Sequence, residues 1–322
     1  MMLAALLAGA CAPPPPAVHA LRGEALGTTW SVKWRGDRPT EPDAEAAVVR
    51  VLGEVDAAMS SWRDDSELAA IRSSHGPVVV SEETYEVVGA ALELADATRG
   101  AFDPTVEPLM ALWGFRGAPR TEPPTDDEIA AARAQVGWQR VRRFRGPDGA
   151  PRIDGGGTSL DLSAIAKGHA VDRVANALSA LGAADQLVEV GGEVRAQGDG
   201  PQGAWQLGVD EPEPGHAPGQ ALAAVVGLTN AALATSGNYR SRYEADGTVI
   251  VHTMDPRTGR PFDSVVGSAS VVAPDCRTAD GWATALMVLG EAGLPLVEAR
   301  PDLEALLLVG GREVPTSGFP SR

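Results

Sequence analysis

Apolar residues recur along this chain with two different periods, and the changes between them mark its elements. From Asp43 to Met59 the apolar positions Val48, Val51, Leu52, Val55 and Met59 fall three or four apart, which predicts an amphipathic helix. Ala166, Ala170, Val174, Leu178 and Leu181 repeat that spacing and predict another, with Ser163 as its N-cap. Ser81 reads as the cap of a helix that runs to Arg99 and is stopped by Gly100. Thr125 and Glu128 have the spacing of a capping box and predict a helix to about Val136. Residues 278–289 predict one more, and the polar loop from Ser60 to Leu68 leads into a short helix. β-rich or alternating runs predict strands at Leu21–Lys33, Val78–Val80, Ser159–Leu162, Gln186–Val190 and Trp205–Asp210. The same signal recurs at Leu222–Leu228, Ala231–Ala234, Val249–Met254, Ser268–Val272 and Glu304–Val309, while Thr235 to Arg240 reads as a polar turn. Strands and helices mix without a regular βαβ rhythm, so the expected fold class is α+β, with mixed sheets and packed helices. No G-x-G-x-x-G run is present, which removes the Rossmann dinucleotide motif.

The N-terminus departs from this pattern. Met1 to Cys11 is almost wholly apolar and small, too short to span a bilayer, and reads as a secretory segment. Leu7-Ala8-Gly9-Ala10-Cys11 resembles a bacterial lipoprotein signal, and Pro13 to Pro16 an extended tether. The expected organisation is therefore a signal and tether over 1–20 and one domain over 21–322. The location that follows is the periplasmic face of the bacterial inner membrane, through a lipid on Cys11; a plain cleaved signal with an incidental cysteine, which leaves the protein secreted or periplasmic, is the other reading. Cys276, the other cysteine, is expected to be a small buried residue. The net charge of −16 argues against a nucleic-acid-binding surface, which needs a basic face.

Candidate chemistry centres on Asp161 to Asp172. An acid ends a strand-like run, small residues follow, and Lys167 stands one turn into a helix. Helix N-termini favour anions, and a lysine there adds a mobile positive charge, so the stretch suits a phosphate-bearing ligand. The same residues also describe an ordinary junction with a surface lysine. Asp280 and Thr284, four apart on a predicted helix, offer two hard oxygens on one face, suited to Mg²⁺; such pairs also occur on helices that bind no metal. No Cys/His cluster suggests zinc, and no G-x-S-x-G elbow suggests a serine hydrolase. His252 sits at a strand end among polar motifs and reads as a structural residue as readily as a base. Asp103 precedes Pro104, which holds it extended.

Taken together these motifs resemble the FAD:protein FMN transferase family, the ApbE-like flavin transferases. The matching segments run in order: Leu26 to Trp30, Ser60 to Leu68, Gly100 to Val106, Leu112 to Phe115, Asp161 to Asp172, Gly191 to Glu193, Thr235 to Arg240, His252 to Gly259, and Ala279 to Thr284. The resemblance implies a T-fold-like flavin transferase architecture and a Mg²⁺-dependent reaction. FMN would pass from FAD to a Ser or Thr hydroxyl of an acceptor flavoprotein subunit carrying a flavinylation motif, with release of AMP. It implies FAD contacts at Leu26 (where the family has Met), Trp62, Ala101, Phe102, Asp103, Asp161, Lys167 and Met254. Metal ligands would be the side chains of Asp280 and Thr284 and the carbonyls of Ala164 and Ala283. Lys167 would offset phosphate charge, and His252, or else Asp255, would take the acceptor's proton. Two other functions fit the same motifs: a metal-dependent FAD pyrophosphatase releasing FMN and AMP, and a non-catalytic FAD-binding lipoprotein.

Overall fold

The computed structural model describes residues 17–212, 219–238, 242–262 and 265–320. Cys11, the Pro13–Pro16 tether, Tyr239 and Arg240 lie outside the described residues. The frame is an eight-stranded antiparallel sheet in the order Val18–Ala25, Thr28–Arg35, Gln186–Val190, Glu193–Gln197, Ala231–Gly237, Val266–Ala273, Glu304–Val309 and Arg312–Pro315. The helices Glu41–Met59, Ala166–Ala180 and Cys276–Leu289 pack together over one face of it. They share the main core with inward residues such as Val188, Ala234 and Val271. The opposite face is covered by the hairpin Trp205–Asp210/Leu222–Leu228, through Trp205, Val226, Leu233 and Leu306. A smaller cluster joins the helices Glu107–Leu112 and Asp126–Arg133 to the hairpin Arg242–Ala245/Thr248–Val251. Trp113 Nε1 ties this cluster to the Gly259 carbonyl at 2.9 Å. The architecture is α+β, as the mixed pattern predicts.

The helices with strong local signals form where their caps place them. Thr40 caps Glu41–Met59 slightly earlier than expected, and its five predicted apolar positions are all buried. Ser81 caps Glu82–Ala97, and both halves of the Thr125/Glu128 box are made. Asp275 caps Cys276–Leu289, its Oδ1 accepting from the Thr278 amide at 2.9 Å. Cys276 is buried, as expected.

Elsewhere the structure corrects the expectations. Leu21–Lys33 is not one strand but a hairpin, folded at Leu26 and Gly27 with φ of 53° and 71°. Positive φ at both central residues is the signature of a type I′ turn, whose twist matches the strands it joins. Ser159–Leu162 is extended but belongs to no strand. Its Leu160 and Leu162 point into the core, and Asp161 N donates to the Pro104 carbonyl at 2.7 Å rather than to a ladder. Ser163 is not an N-cap: the helix starts at Ala166 after Ile165, and no side chain caps it. Leu181 lies past the helix end and is 39% exposed, so the buried stripe is Ala170, Val174 and Leu178. Thr235, Ser236 and Gly237 continue a strand instead of making a turn. The Val249–Met254 run breaks after Val251, and Met254–Asp255 pairs with Arg260–Pro261.

Two polar side chains lock these helices to their neighbours. Asp172, nearly buried, accepts from the amides of Cys276 at 2.9 Å and Arg277 at 3.0 Å and from Arg195 at 2.6 Å. A carboxylate at a helix N-terminus is favoured by the free N–H groups there, and deleting one partner of a buried charge network costs about 3–5 kcal/mol. His169 Nε2 lies 2.6 Å from Glu83 Oε1, which fixes the Ala166–Ala180 helix against Glu82–Ala97.

Candidate active site

The site forms where the Ala166–Ala180 and Cys276–Leu289 helices come into backbone contact at Gly168. The Gly168 amide donates to Asp280 Oδ2 at 3.0 Å. A Cβ at this position would lie 2.3 Å from the Cys276 carbonyl oxygen and 2.8 Å from the Cβ of Asp280. Only glycine allows this approach, and it brings Asp280, 2% exposed, beside Lys167. Lys167 Nζ lies 2.6 Å from Glu193 Oε1 and 3.7 Å from Asp280 Oδ1. Glu193 follows the tight Gly191-Gly192 turn (φ of 67° and 105°) between two central strands. Burial pushes the Glu193 carboxyl up to about 7, against the pull of Lys167. Burial acts to lower the Lys167 ammonium, but Asp280 and Glu193 outweigh it and hold it above the usual lysine range.

These groups line a cavity of about 340 Å³ whose wall also includes Ala101, Phe102, Asp103, Asp161, Ala164 and Thr284. Thr284 Oγ1 is 3.2 Å from Ser236 Oγ on the neighbouring strand. Asp103 accepts from the Thr105 amide and hydroxyl at 2.8 and 2.7 Å, and burial pushes its carboxyl above the usual range. Asp161 Oδ1 accepts from the Ser163 amide at 2.9 Å, and its Oδ2 from Arg116. The Arg116 guanidinium also sits 5.0 Å from the ring centroid of Trp62, a cation–π distance. Trp62, 69% exposed, and Leu26 line a second cavity of about 650 Å³. Ser163 and Lys167 belong to both cavities, so Lys167 stands at their junction.

The structure brings most of the expected residues together. His252 and Met254 lie on the far wall of the first cavity, the His252 ring edge-on to Phe115 at 6.4 Å between centroids. Asp255 is buried and does not line the cavity. Its Oδ1 accepts from the Arg257 amide and Nε, and its Oδ2 from Nη2, all at 2.9 Å. Ala283 is fully buried in the same helix as Asp280 and is not among the lining residues. Sequence reasoning assigned no role to Glu193, Arg116 or Ser236. An acid directly after two glycines was the available signal for Glu193. Ser236 lies in the matching Thr235 to Arg240 segment, while nothing local marks Arg116, whose partner Asp161 is distant in the chain.

Among the described residues no group of three or more His, Cys, Asp or Glu side chains could hold a metal ion. The oxygen-bearing groups that line the cavity together are the Asp280 and Glu193 carboxylates, the Thr284 hydroxyl and the Ala164 turn. Asp280 Oδ1 makes no hydrogen bond among the described residues, its nearest cation being Lys167 at 3.7 Å. A short list of hard oxygens fits Mg²⁺, which binds through one or two carboxylates together with substrate phosphates.

The chain matches the family model described as the ApbE family over residues 26–307. A Vibrio cholerae protein named FAD:protein FMN transferase is 37% identical, covering 98% of this chain and 95% of its own. The solved structure of the flavin transferase ApbE from Vibrio cholerae superposes with a TM-score of 0.83 at 35% identity, over 95% of this chain and 99% of that one. The Thermotoga maritima ApbE protein superposes with a TM-score of 0.84 at 29% identity, over 95% and 100%.

Proposed function

The chain belongs to the ApbE family, and on that premise we propose that it is a FAD:protein FMN transferase that moves FMN from FAD to a Ser or Thr hydroxyl of an acceptor flavoprotein and releases AMP. The observation that carries this reading is the position of Lys167, at the junction of two cavities and beside Asp280. FAD has two large ends joined by a pyrophosphate. With one end in each cavity, the pyrophosphate crosses at Lys167, where an ammonium offsets its charge. Trp62 and Leu26 then bound one end, and Phe102, Asp103 and Met254 the other.

The reaction needs an acceptor oxygen in line with the FMN-side phosphorus. Its O–H proton leaves, the new P–O bond forms, the P–O–P bridge breaks and AMP departs. Such a transfer depends mainly on positioning and charge neutralisation. A divalent cation held by Asp280 and Thr284, with the Ala164 carbonyl, would supply charge neutralisation at the phosphate oxygens. Two groups compete for the acceptor's proton, His252 and Asp255. The geometry supports His252, which faces the cavity, over Asp255, whose oxygens are engaged by Arg257. An imidazole has the unperturbed pKa suited to this work.

Incubation with FAD, Mg²⁺ and a Thr-containing acceptor is expected to yield AMP and an acceptor heavier by FMN less one water, one for one. Free FMN with AMP and an unmodified acceptor would assign the pyrophosphatase reaction instead; no AMP under any metal condition would leave only binding. His252→Ala is expected to lower transfer by about 10²–10⁴ and to remove the ionisation near neutrality from the pH–rate profile. An unaltered profile would exclude His252 as the base.

A further inference from the structure

We propose that Glu193 completes the divalent-cation site: with Asp280 it forms a two-carboxylate seat that the Lys167 ammonium fills until the cation enters. This rests on the cation reading above and extends it to a residue outside the expected ligand set.

Three observations carry it. Lys167 Nζ lies between the two carboxylates, 2.6 Å from Glu193 Oε1 and 3.7 Å from Asp280 Oδ1. A cation is thus already placed where both acids face it. Glu193 is 4% exposed, and its Oε2 is buried without a hydrogen-bond partner among the described residues. Native proteins rarely leave a buried carboxylate oxygen unsatisfied, and a bound ion is one of the few remedies. The third is the space beside that oxygen. A Cβ on Gly191 would lie 3.0 Å from Thr28 Cγ2, 3.2 Å from Glu193 Oε2 and 3.3 Å from Thr28 Oγ1, and the backbone there has a φ of 67° that favours glycine. The glycine keeps open the ground next to the unpartnered oxygen.

The charge balance points the same way. Two carboxylates face one ammonium in a buried place, with Glu193 4% and Asp280 2% exposed. A divalent ion neutralises both acids. Lys167 is then released to the pyrophosphate, where its charge is needed. Carboxylate oxygens select a hard ion of the Mg²⁺, Mn²⁺ or Ca²⁺ type. If Glu193 were only a structural partner of Lys167, it would have no effect on metal affinity once Lys167 was removed.

Titration of the full chain with Mn²⁺ alone, read by the loss of free Mn²⁺ signal in electron paramagnetic resonance, tests this without turnover. Glu193→Gln is expected to weaken Mn²⁺ binding by about 10–100-fold, the scale seen when carboxylates around metal sites are removed. Lys167→Met should tighten it by roughly tenfold or more, since the competing charge is gone. The Glu193→Gln change made on the Lys167→Met background should again weaken it. Wild-type affinity in Glu193→Gln, or unchanged or weaker binding in Lys167→Met, would overturn the proposal. Asp280→Asn separates the two readings. Lost binding in Asp280→Asn with wild-type binding in Glu193→Gln sinks the Glu193 assignment alone. Wild-type binding in Asp280→Asn would sink the cation reading itself. Circular dichroism identifies any variant that fails to fold, and the Lys167→Met result then decides.

Discussion

Asp280→Asn is expected to lower FMN transfer by about 10²–10³ or more, the scale of removing one preorganised charge-stabilising group. The substitution keeps size and shape, and an amide oxygen can still accept from the Gly168 amide that now bonds Oδ2 at 3.0 Å. What is lost is charge. Asp280 is 2% exposed, so its negative charge acts through little water on Lys167 and on whatever enters the cavity. The measurement is the initial rate of AMP release at saturating FAD, alongside thermal unfolding to show that the fold persists. Unchanged turnover would remove Asp280 from the chemistry.

Gly168→Ala is expected to be nearly as damaging, although it adds one methyl and touches no charge. That methyl would sit 2.3 Å from the Cys276 carbonyl oxygen and 2.6 Å from its carbon, so the two helices must part. Overpacking of this kind costs about 1–3 kcal/mol of stability, and a displacement near 1 Å at a catalytic group costs about 10²-fold in rate. Denaturant unfolding and transfer kinetics on the same preparation check both. Wild-type rates in this variant would mean that the contact between these helices does not set the position of Asp280.

Both variants concern residues that were visible as motif members, yet the reason they matter was not. The helices were legible because their signals are local: Ser81 and Thr125 each cap within three residues of the amide they bind, and Val48, Val51, Leu52, Val55 and Met59 repeat at helical spacing. The turn at Leu26 and Gly27 was missed because a leucine with positive φ gives no compositional cue, and the alternation runs straight through it. Ser159–Leu162 alternates like a strand because Leu160 and Leu162 face the core, but pairing depends on what lies alongside. The site shows the same division. Asp161, Lys167, Asp280 and Thr284 stand in segments that resemble the family, and the structure places all four on one cavity. Arg116 reaches Asp161 across 45 positions and Lys167 reaches Glu193 across 26, and no periodicity records such pairs.

The most direct test of the account is a crystal of the protein grown with FAD and Mn²⁺, with the metal located by its anomalous signal. The pyrophosphate of FAD is expected against Lys167, between the two cavities. A metal ion is also expected within about 2.0–2.6 Å of both an Asp280 oxygen and the Ala164 carbonyl. FAD bound away from Lys167, or a metal remote from Asp280, would contradict the account.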